Sequence, residues 1–131
     1  MDIWLFGNPD LPEDALPLRL LPRLQKEFPE HLFSPVDPLD EWKMPEDLII
    51  IDTVRGIEKV TIFTSLDEFR QAPHVTLHDF DLGMQLAFLK KLGKLSRISI
   101  IGIPSGLAED TVLLEIASAL RKLIAENTDC C

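Results

Sequence analysis

The sequence predicts a three-layer α/β/α fold built on a mostly parallel, open twisted sheet of about five strands. Short apolar runs rich in isoleucine and leucine alternate with amphipathic segments of helical period. The most apolar run, residues 48–51, has no polar alternation, which is typical of a strand buried on both faces of a parallel sheet. Most glycines and prolines lie between these runs, where they are typical of turns and loops. Strands that alternate with helices favour a parallel sheet covered on both faces.

The N-terminal part of the chain predicts a strand, a helix and a second short strand. Residues 3–6 form an apolar run followed by turn-forming residues, so strand one leads into a loop that continues to Asp14. An amphipathic helix then extends to Phe28, because leucines recur on one helical face. Pro22 lacks an N–H group, so we expect a kink there or a helix that begins late. Residues 32–33 predict a brief second strand.

The remaining elements follow from apolar runs and from helix start and stop signals. The region 34–47 is rich in proline and predicts a loop with at most one helical turn. Further strands are predicted at residues 48–51, 60–63 and 98–103. Further helices are predicted near residues 65–68, at residues 82–92 ending at Gly93, and from about Glu109 onward.

Composition indicates one acidic domain. The chain has 131 residues, 46% of them hydrophobic, with 13 lysines and arginines against 22 aspartates and glutamates, a net charge of −9. This size predicts a single domain over residues 1–127 with a flexible tail at 128–131. The charge disfavours nucleic acid and anionic membranes, and it favours a monomer. The N-terminus has no signal-peptide pattern, so we expect a cytoplasmic protein. Cys130 and Cys131 stand at the chain end, where they cannot build a disulfide framework.

Three residues are predicted to meet at one edge of the sheet. Ligands of open parallel sheets bind beyond the carboxyl ends of the strands, where the strand order reverses. Asp14 lies in the loop after strand one, Asp52 ends the central strand, and His78 lies ahead of the third helix. Two carboxylates and an imidazole can bind a divalent ion such as nickel, zinc or iron.

Simpler structural roles compete with this interpretation. Asp14 is well placed to be the N-cap of the first helix. Asp52 could cap a turn, and His78 could be an exposed residue that opens a helix. Ser105 lies between a proline and a glycine without a nucleophile motif, so we interpret it as a turn serine.

Taken together, these segments resemble the maturation endopeptidases of nickel-iron hydrogenases, which trim the C-terminal extension of the large-subunit precursor. The resemblance covers most of the chain and depends on the order and separation of its parts. These are Gly7-Asn8 with the acidic pair Glu13-Asp14, the strand 48–51 ending in Asp52, the strand 60–63, His78 before the leucine-rich helix, and the strand 98–103 followed by Pro104.

The resemblance implies a peptidase whose metal-contacting and catalytic residues are Asp14, Asp52 and His78. In that family the second acidic residue of the pair, the strand-end aspartate and the helix-opening histidine contact the metal. The nickel is already bound in the precursor, so it marks the substrate and is not a resident cofactor of the protease. A divalent ion can polarise the scissile carbonyl and activate a water molecule, which explains how a peptidase works without a serine or cysteine nucleophile.

Other features of the resemblance concern the substrate. It implies a role in substrate recognition for Asn8, Asp37 and Asp40, and a hydrogenase large-subunit precursor as the partner. Two positions depart from the family pattern. Pro17 replaces a glycine that usually follows the acidic pair, and residues 37–40 stand where many members have an Asp-Gly-Gly-Thr-like segment. These departures leave the three metal-contacting positions intact and concern the identity of the substrate.

Alternative functions remain open from the sequence. The same three residues could serve a non-catalytic nickel carrier or scaffold for hydrogenase assembly, or an inactive member of the family. A receiver-like signalling domain shares the central strand that ends in Asp52. It would require an acidic pair directly after strand one and a lysine after the last strand, whereas Gly7 and Pro104 occupy these places.

Overall fold

A five-stranded sheet with helices on both faces forms the framework of the computed structural model. The structure describes residues 1–7, 10–12, 15–37, 45, 47–54, 56–63, 86–87, 89–91 and 97–128. The strands are β1 (Asp2–Leu5), β2 (Leu32–Pro35), β3 (Asp47–Thr53), β4 (Thr61–Phe63) and β5 (Arg97–Ile103). The helices with defined bounds are α1 (Leu16–Glu27) and α2 (Glu109–Thr128), and residues 86–87 and 89–91 are also helical.

The strand order is β2-β1-β3-β5-β4. The first four of these strands are parallel to their neighbours, and β4 pairs antiparallel with β5 at the edge. This arrangement confirms the predicted mostly parallel open sheet. The predicted strands lie within one or two residues of the observed ones.

The central strand β3 pairs with β1 on one side and with β5 on the other. Leu48, Ile49, Ile50 and Ile51 are all almost completely buried, as the unbroken apolar run predicts for a strand covered on both faces. Asp47, at the amino end of the strand, forms an ion pair with Arg97 of β5 at 3.6 Å. The amino end of β3 is therefore open to solvent, and its carboxyl end is not.

One face of the sheet is covered by α1 and α2. Leu20 and Leu24 of α1 and Ile116 and Leu120 of α2 are fully buried against Ile3, Ile51 and Ile101. Three ion pairs connect the exposed sides of the two helices: Arg19 with Glu109 at 2.9 Å, Arg23 with Asp110 at 2.9 Å, and Arg121 with Glu27 at 2.7 Å. The acidic members Glu109 and Asp110 also lie in the first turn of α2, where the helix dipole favours negative charge.

The opposite face carries a second apolar cluster. It contains Phe6, Leu48, Ile50, Val54, Phe63, Leu86 and Ile100. Leu86 is fully buried in this cluster and is one of the helical residues 86–87 and 89–91, so helical chain packs against this face. Helices on both sides of the sheet confirm the three-layer architecture.

Helix α1 differs from the sequence prediction at Pro22. The helix begins at Leu16, with Pro17 in the tolerated first turn, and it continues through Pro22 to Glu27. The expected late start is therefore wrong. Pro22 is exposed, so its ring lies on the solvent side of the helix. The buried leucines on the other side of the helix are not disturbed.

Gln25 connects the end of α1 to β2. Its Nε2 donates to the carbonyl oxygens of Phe28 at 3.3 Å and His31 at 2.8 Å, and its Oε1 accepts the N–H of Phe33 at 3.1 Å. The N–H groups of Leu32 and Val36 point to β1, so the N–H of Phe33 lies on the outer edge of the strand. Gln25 thus satisfies an edge donor and turns the chain from the helix into the strand.

Several predictions fall outside the described residues: the short helix near 65–68, most of the loop 34–47, part of the helix 82–92, and the end of the expected tail, 129–131. The division into a domain of residues 1–127 and a tail stays a prediction. Within the described residues, no helix is long and apolar enough to cross a lipid bilayer.

Candidate functional site

The carboxyl ends of β1, β3 and β5 lie level with one another at one edge of the sheet. The N–H of Phe6 donates to the carbonyl of Ile51 at 3.0 Å, and the N–H of Val54 donates to the carbonyl of Ile103 at 2.8 Å. These bonds continue the pairing one residue beyond the strands. The chain leaves β1 toward β2 on one side and later adds β3 on the other, so the strand order reverses between β1 and β3. In open α/β sheets this is where ligands bind.

Asp52 lies at this position, near the end of β3. Its backbone pairs with Gly102 of β5, and none of the residue is exposed to solvent. Both carboxylate oxygens are buried. Because side chains alternate along a strand, Asp52 shares its face with Leu48 and Ile50, on the side covered by the second apolar cluster.

The surroundings of Asp52 argue against a role in capping a turn. The residue lies inside β3, and Thr53 continues the strand. An ionised carboxylate in an apolar cluster is costly unless hydrogen bonds or a cation compensate it. Asp52 is thus a charged residue on a face of β3 that is otherwise apolar, which makes it the candidate site residue at this edge of the sheet.

Thr53 is a polar residue of this edge that the sequence analysis missed. It is fully buried and pairs with Ile103, and its Oγ1 has no hydrogen-bond partner in the part of the chain that the structure describes. Strand alternation places it with Ile49 and Ile51, on the face opposite Asp52. Its position directly after Asp52 was the available signal, because a buried strand that ends in two polar residues is unusual.

Arg19 fixes the chain that leads from β1 into α1. Its Nη1 donates to the carbonyl of Pro12 at 3.2 Å, while its Nε contacts Glu109 at 2.9 Å. The guanidinium thus ties the loop after β1 to the start of α2. Beside it lies a mainly apolar surface cavity of about 340 Å³, lined by Pro12, Ala15, Leu18 and Arg19.

Of the three residues predicted to contact metal, the structure describes only Asp52. Asp14 and His78 lie outside the described residues, so whether they meet Asp52 stays a prediction. The alternative role of Asp14 can be compared with α1, whose N-cap position is occupied by Ala15 and has no side-chain hydrogen bond. The N-cap position of α1 is therefore one residue after Asp14, the residue that the sequence suggested for it.

The predicted recognition residues are similarly divided. Asn8 and Asp40 lie outside the described residues. Asp37 is exposed, two residues beyond the end of β2. Among the described residues, no group of three or more histidine, cysteine, aspartate or glutamate side chains could hold a metal ion. The predicted set of Asp14, Asp52 and His78 is not covered by this observation, because two of its members lie outside the described residues.

Comparison with known proteins supports the fold over the full length. No family model and no curated protein matches this sequence. Among solved structures, the hydrogenase maturating endopeptidase HybD from E. coli is similar, with a TM-score of 0.64 and 19% identity over 98% of this chain and 93% of HybD. An uncharacterised protein from Wolinella succinogenes is also similar, with a TM-score of 0.57 and 13% identity over 97% of this chain and 96% of that protein. At these identities the similarity establishes a shared fold.

Proposed function

We propose that this protein is an endopeptidase that removes the C-terminal extension of a nickel-iron hydrogenase large-subunit precursor after nickel insertion. The observation that carries the proposal is the buried carboxylate of Asp52 at the end of the central strand, beside the reversal of strand order. The resemblance of the sequence predicts a metal-contacting aspartate at this strand end. The fold shared with HybD, which is named a hydrogenase maturating endopeptidase, adds support.

The chain segments that carry the other two predicted residues adjoin elements that pack against β3. The loop before α1 leaves β1 at Phe6, which is hydrogen-bonded to Ile51, the residue before Asp52. The segment that contains His78 begins after Phe63 and ends before Leu86, and both of these residues belong to the apolar cluster on the Asp52 face. In the proposal, Asp14 and His78 approach Asp52 from these two segments.

The proposed chemistry uses nickel as a part of the substrate. Asp14, Asp52 and His78 contact the ion in the precursor, so only a nickel-loaded precursor is held in a productive position. A divalent ion polarises a carbonyl and lowers the pKa of a bound water. One of the two carboxylates then serves as general base. Neither a nucleophilic side chain nor a resident metal is needed. The partner is the precursor, and the protease acts as a cytoplasmic monomer.

The test is cleavage of nickel-loaded and nickel-free precursor, with C-terminal trimming measured by intact mass. Wild-type protein is expected to trim only the loaded precursor. Asp14→Ala, Asp52→Asn and His78→Ala are each expected to reduce trimming by about 100-fold or more, since each removes a group that acts on the reacting centre. Asp47→Asn is the matched control, because Asp47 lies at the opposite end of the same strand as Asp52. Its trimming is expected to stay near the wild-type rate.

Two results would contradict the proposal. Equal trimming of both precursors would show that nickel does not direct the reaction. Binding of nickel without any trimming, lost in the three variants, would assign the site to a nickel carrier or scaffold.

The receiver-like alternative does not agree with the topology. A receiver domain has the flavodoxin-like strand order 2-1-3-4-5. Here β5 lies between β3 and β4, and β4 runs antiparallel to it. The order and direction of the described strands therefore do not favour this alternative.

A further inference from the structure

Gly102 has no side chain, which leaves a gap beside Asp52 in the sheet that neighbouring side chains fill. In the register of β5, it pairs with Asp52 of β3 on one side and with Thr61 of β4 on the other. A Cβ atom at Gly102 would lie 2.7 Å from Cε2 of Phe63 and 2.8 Å from Cγ2 of Val54. Carbon atoms pack at about 3.5–4.0 Å, so these two side chains already occupy the space of the missing one.

The gap is on the same face of the sheet as the Asp52 carboxylate. Directly paired residues of neighbouring strands point to the same face, and the strands are about 4.8 Å apart. Val54 follows Asp52 by two residues and belongs to the apolar cluster on this face. A side chain at position 102 would thus compete with Val54 for the space next to the carboxylate.

Val54 is less able to move away than Phe63. Its branched side chain has one torsion angle and few allowed rotamers. Its N–H is bonded to the carbonyl of Ile103 at 2.8 Å, so a displaced side chain pulls on paired backbone. Phe63 has two torsion angles and lies at the end of the edge strand β4. A larger residue at position 102 would therefore displace the end of β3, two residues from Asp52.

We propose that Gly102 is a positioning residue for Asp52. Because position 102 has no side chain, Val54 and Phe63 pack over its backbone. These two side chains hold in place the end of β3, where the Asp52 carboxylate lies. The effect on trimming rests on the proposed function. The position of the carboxylate does not, so it can be measured independently.

The experiment compares Gly102→Ala, Val54→Ala and the double variant in the full-length protein. The carboxyl ¹³C resonance of Asp52, assigned with Asp52→Asn, reports the environment of the carboxylate at one fixed pH. We expect this resonance to shift or broaden in Gly102→Ala and to return toward its wild-type position in the double variant, which removes Cγ2 of Val54. We expect kcat for the loaded precursor to fall about 10- to 100-fold in Gly102→Ala, because small misplacements of a reacting group have effects of this size. KM should stay within about twofold, because Gly102 is buried and its substitution leaves the exposed side chains of the protein unchanged.

Gly106→Ala is the control for the loss of a glycine. Gly106 has a φ of 88°, so alanine strains the backbone there. A Cβ atom at this position would have no atom within 4 Å, so the alanine would not contact the Asp52 face. This variant should lower the thermal midpoint while the Asp52 resonance and kcat stay at wild-type values.

An unchanged Asp52 resonance in folded Gly102→Ala, or no recovery in the double variant, would overturn the inference. If wild-type protein trims no precursor, the proposed function fails while the resonance still decides the role of Gly102. If Gly102→Ala does not fold, Val54→Leu crowds the same gap from the other strand. It should shift the Asp52 resonance too, and an unchanged resonance in this variant would equally refute the role.

Discussion

Replacing Gln25 with alanine is expected to destabilise the protein by about 2 kcal/mol. The side chain is partly buried and makes three hydrogen bonds to backbone groups of Phe28, His31 and Phe33. Net contributions of about 0.5–1.5 kcal/mol per bond give a total of about 3 kcal/mol. The higher helix propensity of alanine and partial hydration of the freed groups offset part of this. Phe33 is only 5% exposed, so water replaces the lost acceptor poorly.

The assay is equilibrium unfolding in urea, followed by far-ultraviolet circular dichroism, with Lys26→Ala as control. Lys26 is the next residue of α1 and is exposed, so its substitution should change the free energy of unfolding by less than about 0.5 kcal/mol. Gln25→Glu keeps an acceptor for the N–H of Phe33 but loses both donors, and it should also be destabilised. A Gln25→Ala variant as stable as Lys26→Ala would refute this account of how α1 connects to β2.

Two further predictions concern pH dependence and the second apolar cluster. Burial, followed by the positive amino terminus, lowers the pKa of His31, against an opposing effect of Glu30. The unfolded chain, with a histidine pKa of about 6.5, then binds more protons, so stability falls as pH decreases from about 7.5 toward the folded-state pKa. In His31→Gln this fall should be smaller when urea unfolding is compared at about pH 7.5 and about pH 5.5, and equal falls would contradict the assignment. Leu86→Ala should lower the unfolding free energy by about 2–5 kcal/mol, because Leu86 is fully buried on the Asp52 face. A loss below about 1 kcal/mol in the same urea experiment would show that the helical residue Leu86 does not cover that face.

The sequence predicted the strands well because buried strands appear in it as short, continuous apolar runs. The run of four apolar residues in β3 is typical of a strand buried on both faces in the middle of a parallel sheet, and the structure places it there. The observed strand is longer, reaching Asp52 and Thr53, because pairing with β5 extends over polar residues that hydrophobicity does not mark.

Other features of the fold have no local signal. The sequence of residues 60–63 predicts a strand but contains nothing that sets its direction, which depends on pairing with β5. Pro22 also misled the prediction, since its effect depends on whether the proline faces water or the core. For the candidate site, the strand-end rule predicted Asp52, and the structure places this residue, buried, near the carboxyl end of β3; its role stays a prediction. The rule could not identify Gly102, because the need for glycine at this position comes from the packing of Val54 and Phe63. Both of these residues are distant from Gly102 in the sequence.

The position of β5 in the sheet has a consequence for the order of folding. This strand is the last of the five in the chain, yet it lies between β3 and β4. A nascent or truncated polypeptide that stops before residue 97 can pair β1, β2 and β3 but leaves one side of β3 without its neighbour. Such a strand edge is a template for pairing with other chains. Fragments that end before β5 are therefore expected to aggregate, whereas synthesis of β5 closes the sheet and gives β4 its only neighbour among the described strands.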